Sequence, residues 1–205
     1  VTIIDPDHTY IGPDVTLEQD VTIYPGTLIL GKSHIKRGAI IGPHSDLNDT
    51  VVGEDSSVRQ STINSSKIGD NVNVGPYAHI RPESNVGNNV RIGNFVEIKK
   101  SEIADDAKIP HLSYIGDAKI GERVNIGSGT ITVNYDGKNK HETIIGDDSF
   151  IGCNANLVAP VTIEPGAYVA AGSTITKDVP HDALAIGRAR QENKENYVQR
   201  LLNRK

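Results

Sequence analysis

Aliphatic residues recur at every sixth position through most of the chain. Ile11, Leu17, Ile23, Ile29, Ile35, Ile41 and Leu47 form one unbroken series. Val74, Ile80, Val86, Ile92 and Ile98 keep the step, and Ile145, Ile151, Leu157, Ile163, Val169 and Ile175 resume it. A small residue often follows four places on, as at Thr27, Ser33, Ala39, Ser45, Ala78, Ser84, Ser149, Ala155, Ala167 and Ser173. The step matches neither the helical nor the strand period. It is the hexapeptide signature of an all-β architecture, the parallel β-helix, in which three short strands and three corners make a coil. Residues 5–180 read as one solenoid of roughly ten coils, stacked about 4.8 Å apart.

The period slips in the middle, where Leu47, Val52, Val58, Ile63 and Ile68 are five or six apart. Ile98 to Ile103 and Ile115 to Ile120 are also steps of five. Each slip should shorten a corner and leave the inward ladder intact. Between Ile131 and Ile145 the ladder stops, and Asp136-Gly137 supplies turn chemistry. The segment 132–144 is expected to protrude as a loop, the kind of element that often carries function on a rigid scaffold. Beyond Pro180 the pattern changes. The spacing of Tyr197, Val198, Leu201 and Leu202 predicts a short helix within a tail at 189–205. Its basic end, Arg200, Arg204 and Lys205, would suit an anion or a cover over the open end of the solenoid.

Composition agrees with a slim aliphatic prism, with two Phe, seven Tyr and no Trp among 205 residues. Glycine, at 20 residues, suits tight corners. A net charge of −5 argues against a nucleic-acid partner. No apolar run is long enough to span a membrane, and no signal peptide opens the chain. A lone cysteine, Cys153, excludes an internal disulfide framework and suits a cytoplasmic location. Met is absent even at position 1, so the chain is expected to be a piece of a longer protein.

Among seven histidines, His111 stands out beside the inward Ile109 and Ile115. A neutral imidazole is available as a general base near neutral pH. Arg81, Lys99, Lys100 and Lys140 are candidate phosphate grips, Arg as a fork and Lys as a point charge. A metal centre is the rival chemistry. It needs converging histidines, yet the nearest pair, His34 and His44, is ten apart. No metal ligand set is assigned.

Several long motifs then narrow the reading. They are Arg81-Pro82, the run from Val90 through Gly93-Asn94-Phe95-Val96-Glu97 to Lys100, His111-Leu112-Ser113-Tyr114-Ile115-Gly116, and the run from Val124 through Gly127-Ser128-Gly129 to Asn134-Tyr135-Asp136-Gly137. From about residue 5 to residue 195 the chain resembles the C-terminal domain of the bacterial bifunctional N-acetylglucosamine-1-phosphate uridyltransferase / glucosamine-1-phosphate N-acetyltransferase family. The resemblance implies a left-handed β-helix domain at 1–188, a homotrimer with active sites at subunit boundaries, and the absence of the family's N-terminal uridyltransferase domain. It implies acetylation of glucosamine 1-phosphate by acetyl-CoA, which feeds UDP-N-acetylglucosamine and cell-wall synthesis. Acetyl-CoA would be a co-substrate. No metal would be required, Mg belonging to the absent domain.

Carried across residue by residue, the resemblance makes His111 the catalytic base. Arg81, Lys99 and Lys140 become sugar-phosphate contacts, and Tyr114 and Asn125 sugar contacts. Ser128, Asn134, Tyr135, Cys153, Ala171 and Arg188 become acetyl-CoA contacts, with Lys194 near the coenzyme phosphates. Glu97 is a candidate orienting group. Pro110 departs from the family pattern, where a small residue is expected. It lacks an N–H and restricts Ile109, so the strand carrying His111 is where its aim would change. Three other readings stay open: a related solenoid acyltransferase with another acceptor, a metal hydratase of the same architecture, and a purely structural solenoid.

Overall fold

The computed structural model describes residues 1–203, so Arg204 and Lys205 of the predicted basic end lie outside the described residues. Strands of two to four residues assemble into three parallel sheets of 11, 10 and 9 strands. In each sheet a strand pairs with the equivalent strand one coil away. Ladder residues stack on their own kind. Ile29 lies opposite Leu47, Leu47 opposite Ile63, Ile63 opposite Ile80, Ile80 opposite Ile98, and Ile98 opposite Ile115. Aliphatic side chains from all three sheets meet along the axis. From Ile23 to Ile175 every ladder position named above except Ile131 is at most 5% exposed, whereas Ile11 and Leu17 are partly buried. The small residues four places on are buried as well, forming the inner lining of the corners.

The slips of register behave as corner deletions. Each five-residue step turns on one residue in the left-handed region, namely Asp49, Gln60, Ser65, Lys100 or Asp117, with φ of 44–50°. Other corners are tied by side chains that cap amides of the neighbouring coil. Asp70 Oδ1 accepts from Glu54 N (2.8 Å), Asn88 Oδ1 from Asp70 N (2.9 Å) and Asp105 Oδ1 from Asn88 N (2.7 Å). Asn and Asp suit these places because their short polar side chains bond locally and tolerate left-handed backbone.

Two sequence expectations need correction. The ladder does not stop at Ile131: that side chain faces outward, and Thr132 takes the inward position, fully buried opposite Leu157. Its hydroxyl accepts from Gly116 N (2.8 Å) and donates to Gly116 O (3.0 Å), so a polar residue serves there by satisfying the backbone of the coil above. Residues 132–133 and 143–144 therefore belong to strands, and the excursion is confined to 134–142. The tail does contain a helix, Tyr197–Leu202, but residues 188–203 are all exposed and bury no side chain against the solenoid. No helix among the described residues is long and apolar enough to cross a membrane.

Replacing Ile98 or Ile115 with Ala opens a void between two stacked neighbours and should cost about 2–5 kcal/mol. Urea unfolding followed by circular dichroism checks this; a loss below ~1 kcal/mol would contradict the packing described.

Candidate active site

His111 ends the strand Lys108–His111 at a corner between the first and second sheets. That strand pairs with Arg91–Asn94, and the register sets Asn94 opposite His111. The imidazole Nδ1 lies 2.7 Å from Asn94 Oδ1. Both side chains line an open groove of about 410 Å³ together with Asn73, Arg91 and Pro110. Pro110 stays within the strand. In neighbouring coils the equivalent glycine amides donate across the corner, Gly75 to Ile92 O (2.9 Å) and Gly127 to Ile151 O (2.7 Å). Proline cannot do so, and only Lys108 and Asn125 keep paired register between this strand and the next. Gly93 opposite is required, since a Cβ there would sit 1.8 Å from the Pro110 carbonyl oxygen. The pairing of His111 runs to the Asn94 side, which retains its full register.

The corner continues as a column. Ile92, Ile109, Ile126, Ile151 and Val169 stack as inward neighbours, so the residues two places on, Asn94, His111, Ser128, Cys153 and Ala171, succeed one another along one edge. Asn154 N donates to Ser128 O (2.7 Å) and Gly172 N to Cys153 O (2.8 Å). The amides of Ser128, Cys153 and Ala171 find no acceptor within the chain among the described residues. Arg188 Cδ lies 3.8 Å from the place a Cβ on Gly172 would occupy, which puts Arg188 at the far end of the same edge. The Cys153 thiol is free and exposed. Four of the residues expected to meet acetyl-CoA thus fall on one line leading from His111. Lys194 lies in the exposed tail.

A second cluster occupies the opposite end of the second sheet. Lys99 Nζ pairs with Asp117 Oδ2 at 3.1 Å. Asn134 Nδ2 donates to the same oxygen at 2.5 Å and to Tyr114 Oη at 3.4 Å. Gly116 makes the room, because a Cβ there would come within 2.5 Å of Tyr114 Oη and 2.7 Å of Asn134 Nδ2. Arg81 pairs with Glu97 at 2.9 Å, and no hydrogen bond joins Glu97 to His111 among the described residues. Asn125 faces outward from the first sheet, between Lys108 and Phe150 of the adjoining coils.

Beyond Asn134 the chain leaves the prism as a compact hairpin. Asp136 Oδ1 accepts from the amides of Lys138 (2.7 Å) and Asn139 (2.6 Å), and Oδ2 meets His141 Nε2 at 2.7 Å. Tyr135 Oη donates to Gly137 O (2.6 Å), and Lys140 Nζ lies 4.5 Å from the centre of the Tyr135 ring. Tyr135 and Lys140 were expected to contact different ligands, and here they cover each other. The Asn139 amide, then His141 and the Lys138 amide, hold the Asp136 carboxyl far below the usual carboxylate range.

Within one chain, then, Lys99, Tyr114 and Asn134 converge, while His111 stands on another edge with no hydrogen bond to that cluster among the described residues. Asn94 and Asp117 were missed by the reading from sequence. The signal available was the coil length itself: each lies one coil from a residue already singled out, Asn94 from His111 and Asp117 from Lys99. Among the described residues no group of three His, Cys, Asp or Glu side chains forms a metal-ligand cluster.

Fold and corner site together define the class, a left-handed β-helix of hexapeptide repeats. The model of the bacterial transferase hexapeptide (six repeats) matches residues 142–177, and that of the GMPPB C-terminal domain matches residues 62–151. Over nearly its whole length the chain is similar to part of the bifunctional protein GlmU. It is 59% identical over 198 residues to the bifunctional protein GlmU of Halalkalibacterium halodurans, and 60% identical over 201 residues to that of a Geobacillus species. These alignments cover 97% and 98% of the chain but only 44% of each relative, so the chain spans less than half the length of the curated relatives it matches. Among solved structures, Arabidopsis UDP-N-acetylglucosamine acyltransferase superposes with a TM-score of 0.55 at 20% identity, covering 91% of this chain and 69% of that one. LpxA from Acinetobacter baumannii gives 0.53 at 15% identity, covering 81% and 71%. At such identities these two show the fold alone.

The depressed Asp136 carboxyl has a testable consequence. Its contribution is present above the ordinary carboxylate pKa of about 3.9 and is lost only as pH falls through the much lower folded value. Hydrogen exchange at pH 4 should therefore find the Lys138 and Asn139 amides protected in the parent and unprotected in Asp136→Ala. Equal protection in the two would show that the carboxylate does not close the hairpin.

Proposed function

We propose that the chain is an acetyltransferase that moves the acetyl group of acetyl-CoA to the amine of glucosamine 1-phosphate. The observation that carries the reading is His111, held by Asn94 in an open groove at the head of an edge of small residues with available amides. The identity to bifunctional GlmU proteins supports glucosamine 1-phosphate as the acceptor.

In this reading the sugar amine attacks the thioester carbonyl carbon and a C–N bond forms. His111 takes the proton the nitrogen must lose. The tetrahedral oxyanion accepts a hydrogen bond from a backbone amide of the edge, that of Ser128 being the nearest in register. Collapse breaks the C–S bond, and the proton passes to the departing thiolate. The pantetheine arm follows Ser128, Cys153 and Ala171, towards Arg188. Cys153 lines this path and forms no covalent intermediate. Arg81, set by Glu97, and Lys99, set by Asp117, hold the sugar phosphate with Lys140, which fixes the amine near the carbonyl.

Because the base and the phosphate grips lie on different edges of one chain, the working site is shared between copies in a homotrimer. Tyr135 and Lys140 then turn from each other to ligands. Residues 1–188 act as the catalytic unit and 189–205 as an appended tail carrying Lys194.

Thiol release from acetyl-CoA, with glucosamine 1-phosphate, free glucosamine or serine as acceptor, tests the assignment. Release should depend on glucosamine 1-phosphate; equal release with any amine would overturn the acceptor. His111→Ala should lower kcat by about 10²–10⁴-fold, and a rate within a few-fold of the parent would remove His111 from the role. Arg81→Ala should raise KM for the sugar phosphate by roughly tenfold or more with kcat less affected. An unchanged KM would dismiss Arg81 as a grip.

A further inference from the structure

We infer that Asn94 is a positioning residue that selects the tautomer of His111, keeping the proton on Nδ1 and leaving the Nε2 lone pair as the base. The inference rests on the reading of His111 as the general base.

Two backbone features fix the pair. Asn94 and His111 are opposite in register, and Leu112 N donates to Asn94 O at 3.0 Å. Ser113 Oγ donates to His111 O at 2.8 Å, which pins the following corner. With both ends of the corner held, Asn94 Oδ1 meets Nδ1 at 2.7 Å. An amide oxygen only accepts, so Nδ1 must carry the hydrogen. The same contact also serves the imidazolium formed when Nε2 takes a proton, whereas an amide NH₂ in that place would lose its acceptor at that moment.

The choice of an amide sets His111 apart within this chain. Four other histidines contact carboxylates: His8 with Asp5, His34 with Glu18, His141 with Asp136 and His181 with Asp182. A carboxylate favours the protonated ring and would lower the fraction of free base at neutral pH. The charged group facing His111 across its groove is Arg91, and Lys108 begins its own strand; among the described residues no carboxylate lines the groove. Asn94 therefore orients the ring without adding a negative charge.

The test reads the tautomer directly. Protein labelled with ¹⁵N-histidine is examined by long-range ¹H–¹⁵N NMR without substrate, and the His111 signals are assigned by their loss in His111→Gln. The parent should show protonated Nδ1 and bare Nε2, and Asn94→Ala should move the ring towards Nε2–H. Turnover of Asn94→Ala should fall about tenfold in kcat with KM little changed, the effect of one lost orienting hydrogen bond. Asn94→Asp is nearly isosteric and keeps the acceptor. It should retain the Nδ1–H tautomer while moving the acidic limb of the kcat/KM profile up by about one pH unit. A parent ring protonated on Nε2, or a tautomer unmoved in Asn94→Ala, would overturn the inference. Failure of the underlying reading shows differently, as parental turnover in His111→Gln, because the NMR signal needs no catalysis.

Discussion

Every other feature of the molecule depends on the vertical pairing of each strand with its equivalent in the next coil. A strand of two or three residues has almost no stability alone. Here each strand inside a sheet is hydrogen-bonded above and below, and its inward residue, nearly always aliphatic, packs on those of both neighbours. Register errors are costly under this constraint, because moving a strand by one residue turns its apolar side chain out to water. The five-residue corners show how strictly it is met. Where the chain is one residue short, the corner still turns on a left-handed residue and the ladder continues.

The same constraint builds the candidate site. Residues at one offset from the ladder in successive coils must line up along an edge, so Asn94, His111, Ser128, Cys153 and Ala171 form a column without any dedicated framework. Parallel stacking supplies the spacing and the open amides of the corners supply donors. The scaffold is rigid and the site lies on its surface, an arrangement suited to holding a long flexible ligand against a fixed base. The Lys99–Asp117–Asn134–Tyr114 cluster follows from the other corner of the same sheet. There Gly116 and Thr132 together free the space and satisfy the backbone where the hairpin departs.

Pro110 illustrates how local a change can be in such a fold. It deletes one inter-coil hydrogen bond next to His111, yet the strand keeps its place. Each coil is held by many equivalent bonds, and the pairing that orients His111 lies on the other side of the strand. Gly93 absorbs the close approach of the Pro110 carbonyl.

The architecture was legible in the sequence because a six-residue aliphatic period has few physical solutions, and the coil count and the ladder from Ile23 to Ile98 followed from it directly. The motifs around Arg81, His111 and Asn134 likewise stood out as continuous runs. Thr132 was hidden, since a polar residue reads as a break in the ladder until its hydroxyl is seen on the Gly116 backbone. Asn94 and Asp117 were hidden because their partners lie a full coil away and come into contact only when the coils stack. The pairing of Glu97 with Arg81 was open for the same reason. Periodicity along one chain specifies which residues face inward; which side chains meet outside is decided by the corner lengths that set one coil above the next.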